Sequence, residues 1–147
     1  MTKRSSNLRR DNLGFLLAKA VQRWNDMLRD GFTREDFPQV RPSFGSVLIP
    51  LFEEDGMRIG ELARRSRLSK QTMTTMVRAV EAARLVELRA DSDDGRASRV
   101  WLTAEARQFQ PTAERVLARA EDTAARTGTA ADLRAVRRWL EAFAQLP

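Results

Sequence analysis

The chain has 147 residues, enough for one domain with a substantial core. It carries 26 basic and 20 acidic side chains, a formal net charge of +6, and neither cysteine nor histidine. Those two absences exclude disulfides, thiol chemistry and histidine-based acid–base catalysis, and they leave little from which to build a transition-metal site.

The first ten residues, MTKRSSNLRR, read as a flexible basic arm; they lack the apolar stretch of a secretory signal. A first helix is expected from about Asn7–Asn12 to Asp30. Its stripe of Leu13, Leu16, Leu17, Ala20, Val21, Trp24, Met27 and Leu28 repeats every three or four positions. Gly31 reads as its C-terminal stop. A second helix is expected from Pro42, with Phe44, Val47, Leu48, Leu51 and Phe52 inward. Pro50 predicts a bend or an early end there, because an interior proline costs about 3 kcal/mol. No apolar run approaches the roughly 18 residues of a membrane span, so no membrane association is expected.

Met57–Arg58–Ile59 reads as a minimal strand. A third helix over Gly60–Ser66 and a turn at Arg67–Leu68 lead to Ser69, a suitable N-cap for a fourth helix reaching about Ala83. Met73, Met76, Val77 and Val80 form the inward face of that helix. Leu85–Arg89 and Ser98–Leu102 read as two strands around the polar tip ADSDDGRA. In the second strand Val100 and Leu102 point one way, Arg99 and Trp101 the other. Thr103 is an N-cap candidate for a fifth helix, with Glu105 in its first turn, an expected kink at Pro111 and a break at Gly128. Thr129 and Asp132 resemble a weak capping box for a last helix carrying Leu133, Val136, Trp139, Leu140 and Phe143.

Short helix, turn, second helix and basic hairpin, in that order, make a winged helix-turn-helix, which lays one helix in the DNA major groove beside a β-hairpin. The outward face of the fourth helix offers Lys70, Gln71, Thr74, Thr75 and Arg78 to base edges or phosphates, and Ser69 with the helix N-terminus can hold a phosphate. No acidic residue lies between Arg64 and Val80. An ordinary surface helix would also place polar residues outside, so this face alone does not decide. Asp94, one residue, Arg96, and then Leu102-Thr103 opening the next helix tip the balance. That arrangement, with the elements around it, resembles the MarR family of bacterial transcriptional regulators along nearly the whole chain.

The resemblance implies a mainly α fold with a small β-hairpin wing. The winged lobe would occupy about 42–103, and N- and C-terminal dimerisation helices about 8–30 and 104–147. It implies a cytoplasmic homodimer that binds a pseudo-palindromic double-stranded operator, acts as a repressor and is released by a small-molecule effector, with no cofactor. Asp94 would orient the hairpin, Arg96 would reach the minor groove or its phosphates, and Arg99 would add backbone contact. Candidates for an effector crevice are Trp24, Phe44, Leu48, Phe52 and Trp101, each of which also fits a core position. Independently of the resemblance, the apolar stripes of the first helix and the last two exceed what a winged module can bury. One departure stands out: Arg84 occupies the helix-exit position where the family commonly has glycine. The opposing reading is an adaptor that keeps the fold without binding DNA specifically. Enzymatic activity is not expected, since carboxylate pairs such as Glu53–Glu54 and Asp93–Asp94 have no base or nucleophile beside them.

Overall fold

The computed structural model describes residues 8–147; the expectations placed on residues 1–7 lie outside that range. Helix α1 (Leu13–Arg34) starts where the Asn12 side chain accepts the amides of Gly14 and Phe15. It runs past Gly31, which does not stop it. A Cβ at Gly31 would lie 2.6 Å from Val116 Cγ1, so this glycine serves the close approach of α1 to a later helix. Termination comes at Asp36, whose φ is 68°. The amides of Asp36 and Phe37 bond back to the carbonyls of Thr33 and Phe32, closing a Schellman motif without glycine.

A 3-10 turn (Pro42–Phe44) leads into α2 (Gly45–Glu53). Contrary to expectation, α2 does not end at Pro50. Proline withholds the amide that would bond the Ser46 carbonyl one turn back. The Ser66 hydroxyl donates to that carbonyl instead, at 2.5 Å.

Strand β1 (Met57–Arg58) precedes α3 (Ile59–Arg65) and α4 (Lys70–Ala82). Both helices end by the device seen at α1. Arg67 (φ 53°) and Arg84 (φ 63°) take the left-handed position. The amides of Leu68 and Leu85 return to Ala63 and Val80. At Arg67 the motif makes the turn of the helix-turn-helix. At Arg84 it gives the sharp exit that glycine would give, at a conformational cost of about 1–2 kcal/mol.

Strands β2 (Val86–Ala90) and β3 (Ser98–Leu102) form a hairpin, and β1 adds to the far edge of β3, giving the antiparallel order β1-β3-β2. Met57 and Leu88 both sit opposite Val100, and Val86 opposite Leu102, so one face of the sheet is apolar. That face closes a core with Val47 and Leu51 of α2, Leu62 of α3, and Met73, Val77 and Val80 of α4. Burying each such side chain is worth about 1.5–3 kcal/mol. Met76 packs only partly against this core.

Thr103 caps α5 (Ala104–Ala125), which runs uninterrupted through Pro111. Phe109 carries α5 into the core, meeting Phe32 and Phe37 edge-on at centroid distances of 5.0 and 5.1 Å. Beyond Gly128 the capping box is complete: Asp132 accepts the Thr129 amide, and Thr129 Oγ1 accepts the Asp132 amide. The last helix, α6 (Ala130–Ala144), has no buried residue. None of the described helices is long and apolar enough to cross a membrane.

Candidate nucleic-acid interface

Met73, Val77 and Val80 fix the inner face of α4, and its rotation therefore turns Lys70, Gln71, Thr75 and Arg78 out to solvent, with Thr74 half-buried beside them. Ser69 Oγ accepts the Thr72 amide at 3.1 Å and donates to Thr72 Oγ1 at 2.8 Å. No acidic residue stands in the first turn of α4 to oppose an anion at its N-terminus. No described residue hydrogen-bonds or ion-pairs with the side chains of Lys70, Gln71 or Arg78, so all three are available to a partner. Thr74 and Thr75 donate their hydroxyls back to the carbonyls of Lys70 and Gln71, at 2.8 and 3.2 Å.

The wing is organised by a residue that sequence reasoning passed over. Asp91, 3% exposed, receives Arg58 Nε at 2.8 Å, Arg99 Nε at 3.0 Å and the Asp93 amide at 3.0 Å. The Asp93 amide and the Arg58 guanidinium hold its carboxyl below the usual aspartate range. Of the three tip aspartates, the first alone turns inward, joining the edge strand β1 and the central strand β3 to the start of the tip. Asp94 holds a smaller part: its Oδ1 accepts the Arg96 amide at 3.0 Å, which folds the tip, while its carbonyl accepts the Ala97 amide. Arg96 itself projects from the tip with its guanidinium unengaged by any described residue. Arg99 differs. Its Nε holds Asp91 and its Nη1 donates to the Gly56 carbonyl at 2.9 Å, so it braces the wing first.

The base of the wing is clamped too. Asp55 Oδ1 accepts the Leu102 amide at 2.9 Å, and its Oδ2 takes Arg107 of α5 at 2.6 Å. Trp101 lies over Gly56, whose φ is 70° and whose absent Cβ would fall 2.5 Å from the indole. Arg89, paired with Glu87, stacks on the same indole at 5.4 Å.

Of the five crevice candidates, three come together. Trp24, Leu48 and Phe52 line a cavity of about 160 Å³ between α1, α2 and α5, floored by Phe32 and Phe109. Arg41, which sequence reasoning did not single out, is the only charged residue of that lining among the described residues. Phe44 is buried in the core instead, and Trp101 is occupied by Gly56 on the wing. A second, larger groove of about 620 Å³ runs between the outer half of α1 and α6, walled by Leu13, Leu17, Val21, Val136, Trp139 and Leu140. Trp139 and Phe143 stack there at 4.9 Å while remaining 40% and 51% exposed. The far end of α6 is tied to the helix-turn-helix: Arg67 Nη1 donates to the Ala144 carbonyl at 2.9 Å.

Residues 42–98 match the model of the MarR family. Among solved structures, the chain is similar to a probable transcriptional regulator from Pseudomonas aeruginosa, with 22% identity, a TM-score of 0.76, and 90% of this chain and 97% of that one covered. It is similar to the transcriptional repressor CouR bound to a 23-mer DNA duplex, with 22% identity, a TM-score of 0.77, and coverage of 95% and 100%. It is also similar to the PcaV transcriptional regulator from Streptomyces coelicolor in complex with its natural ligand, with 19% identity, a TM-score of 0.77, and coverage of 91% and 92%. At these identities the likeness establishes the fold. No curated protein sequence matches the chain.

Proposed function

We propose, from the match of residues 42–98 to the MarR family model, that the chain is a homodimeric, sequence-specific double-stranded DNA-binding regulator acting as a cytoplasmic repressor. The observation that carries this reading is the outer face of α4. It is exposed, carries no acidic residue before Glu81 near its C-terminal end, and is stocked with Lys70, Gln71 and Arg78, which no described residue engages, beside a wing whose Arg96 is likewise unengaged by any described residue. Ser69 and the α4 N-terminus position a phosphate; Lys70, Gln71, Thr74, Thr75 and Arg78 meet the major groove; Arg96 reaches the backbone beside the wing. Arg99, with Nε and one Nη1 hydrogen committed within the wing, has fewer donors left for a phosphate than Arg96.

The groove between α1 and α6 supports a two-fold dimer, because it leaves Leu13, Val21, Trp139, Leu140 and Phe143 exposed as one apolar face. Two copies then place their α4 helices in successive major grooves of a pseudo-palindromic site. The cavity at Trp24, Leu48 and Phe52 takes a lipophilic effector with an anionic group opposite Arg41. It lies where α1 and α5 meet α2, so an occupant that favours one spacing of the two lobes shifts the population away from the DNA-binding state.

Fluorescence anisotropy with the gene's own upstream duplex against a scrambled duplex, at two salt concentrations, tests the proposal. A preference of about a hundredfold or more is expected. Equal, strongly salt-dependent binding of both duplexes would leave only a basic surface and overturn it.

A further inference from the structure

The chemistry that α4 can show a groove is narrower than its residue types suggest. Thr75 is the exposed threonine of the outer face, and its hydroxyl proton is directed to the Gln71 carbonyl. A threonine has one donor. With it committed to the helix, Thr75 presents an acceptor oxygen and a methyl group. In the major groove an acceptor finds a donor on adenine N6 or cytosine N4, while a methyl finds its apolar partner on thymine C5. Only an A·T pair offers both. Guanine, with two acceptors on that edge, offers nothing to it.

Gln71 lies one turn earlier on the same face, its side chain without a partner among the described residues. Its amide matches adenine, N6–H to the carbonyl and N7 to the NH₂. Residues four apart are about 6 Å apart along a helix, and successive bases on a strand are about 3.4 Å apart. The two side chains therefore address positions up to about two base steps apart within one half-site.

We propose that α4 selects A·T pairs at two nearby positions of each half-site, Gln71 through the adenine edge and Thr75 through the thymine methyl. This rests on the DNA-binding reading above. The half-buried Thr74, also bonded back to its own helix, cannot supply the missing donor.

The test begins with selection of duplexes from a randomised pool by the full-length protein, followed by titration of the winning duplex with single thymines replaced by deoxyuridine, which lacks only the methyl. Two A·T positions per half-site are expected, one of which relaxes in Gln71→Ala. At the other, deoxyuridine should weaken binding about fourfold per half-site and roughly fifteenfold when both are changed. Thr75→Ser, which keeps the hydroxyl and drops the methyl, should erase that sensitivity; Thr75→Val should retain it. Indifference of the wild-type protein to deoxyuridine, undiminished sensitivity in Thr75→Ser, or G·C at the position that Gln71→Ala relaxes would each overturn the proposal. A pool that yields no enriched sequence at all would instead refute the DNA-binding reading on which it stands, and the proposal with it.

Discussion

The Ser66 hydroxyl donates to the Ser46 carbonyl at 2.5 Å and thereby replaces the amide that Pro50 cannot offer. Helix α2 keeps its length because α3 supplies its missing bond. Ser66→Ala should leave that part-buried carbonyl orphaned and cost about 1–3 kcal/mol. In a Pro50→Ala background an amide returns to position 50, and the same substitution should cost a few tenths of a kcal/mol. Urea unfolding of the four proteins at one fixed concentration measures the cycle; equal losses in both backgrounds would show that Ser66 stabilises by other means.

Arg84 offers a stabilising substitution. It holds φ 63° at the exit of α4, where its carbonyl receives the Thr103 hydroxyl at 2.7 Å through the backbone alone. Arg84→Gly keeps every one of these backbone bonds and removes the left-handed strain. The greater freedom of glycine in the unfolded chain offsets part of the gain, so an increase of about 0.5–1 kcal/mol is expected. A loss of stability in Arg84→Gly would mean that the arginine side chain carries more than its conformation suggests.

What the sequence makes legible follows from range. Caps and periodic faces are local, and Ser69, Thr103 and the α4 stripe stand where propensity and spacing put them. Gly31 misleads because glycine serves two purposes. A C-terminal stop and a close helix contact look identical until Val116, on a helix far along the chain, is folded against it. Pro50 misleads for a related reason, since the compensating donor lies on another helix. Within the wing, three aspartates in four positions give no local sign of which turns inward. Asp91 is distinguished by its partners once the sheet has formed, Arg58, 33 positions earlier in the chain, and Arg99 across the hairpin. Phe44 joins the crevice candidates through hydrophobicity, which does not distinguish a cavity wall from a filled core; Trp101 joins them because strand alternation turns it away from the core, and Gly56 of another segment occupies that face.

Gly31 gives the second packing test. Alanine improves helix propensity by up to about 1 kcal/mol, but its Cβ would fall 2.6 and 3.0 Å from the two γ carbons of Val116. A β-branched side chain on a helix has little rotamer freedom with which to yield. Overpacking of this kind costs about 1–3 kcal/mol, so Gly31→Ala should destabilise on balance, and Val116→Ala added to it should recover part of the loss. If Gly31→Ala alone is more stable than wild type, α1 and α5 have room to separate and the glycine is not required by their packing.

Glu35, at the end of α1, contributes to the pH dependence of stability. The Arg115 hydrogen bond, assisted by Arg119, pulls the Glu35 carboxyl from 4.5 to about 2. A depressed carboxylate favours the folded state at every pH above its ordinary range and loses that advantage as pH falls toward the folded value. Glu35→Gln should therefore be less stable than wild type at neutral pH, by an amount that stays constant down to about 4.5 and closes toward about 2. A difference that persists unchanged into acid would assign the effect to packing rather than charge.

Arg96 and Arg99 sit three residues apart on the wing and should behave oppositely. Arg96 has no described side-chain partner, so Arg96→Ala should unfold at the same denaturant concentration as wild type. Its effect belongs to DNA binding: weaker for every duplex alike, with the slope of log K against log salt reduced by about 0.9 for each phosphate left unneutralised. Arg99 shares Asp91 with Arg58 and holds the Gly56 carbonyl. Arg99→Ala should lower stability, and it should weaken DNA binding with a smaller change in salt slope, because the damage is to the shape of the wing. Reversed results, with Arg99→Ala changing only the salt slope and Arg96→Ala only the unfolding midpoint, would exchange the two roles.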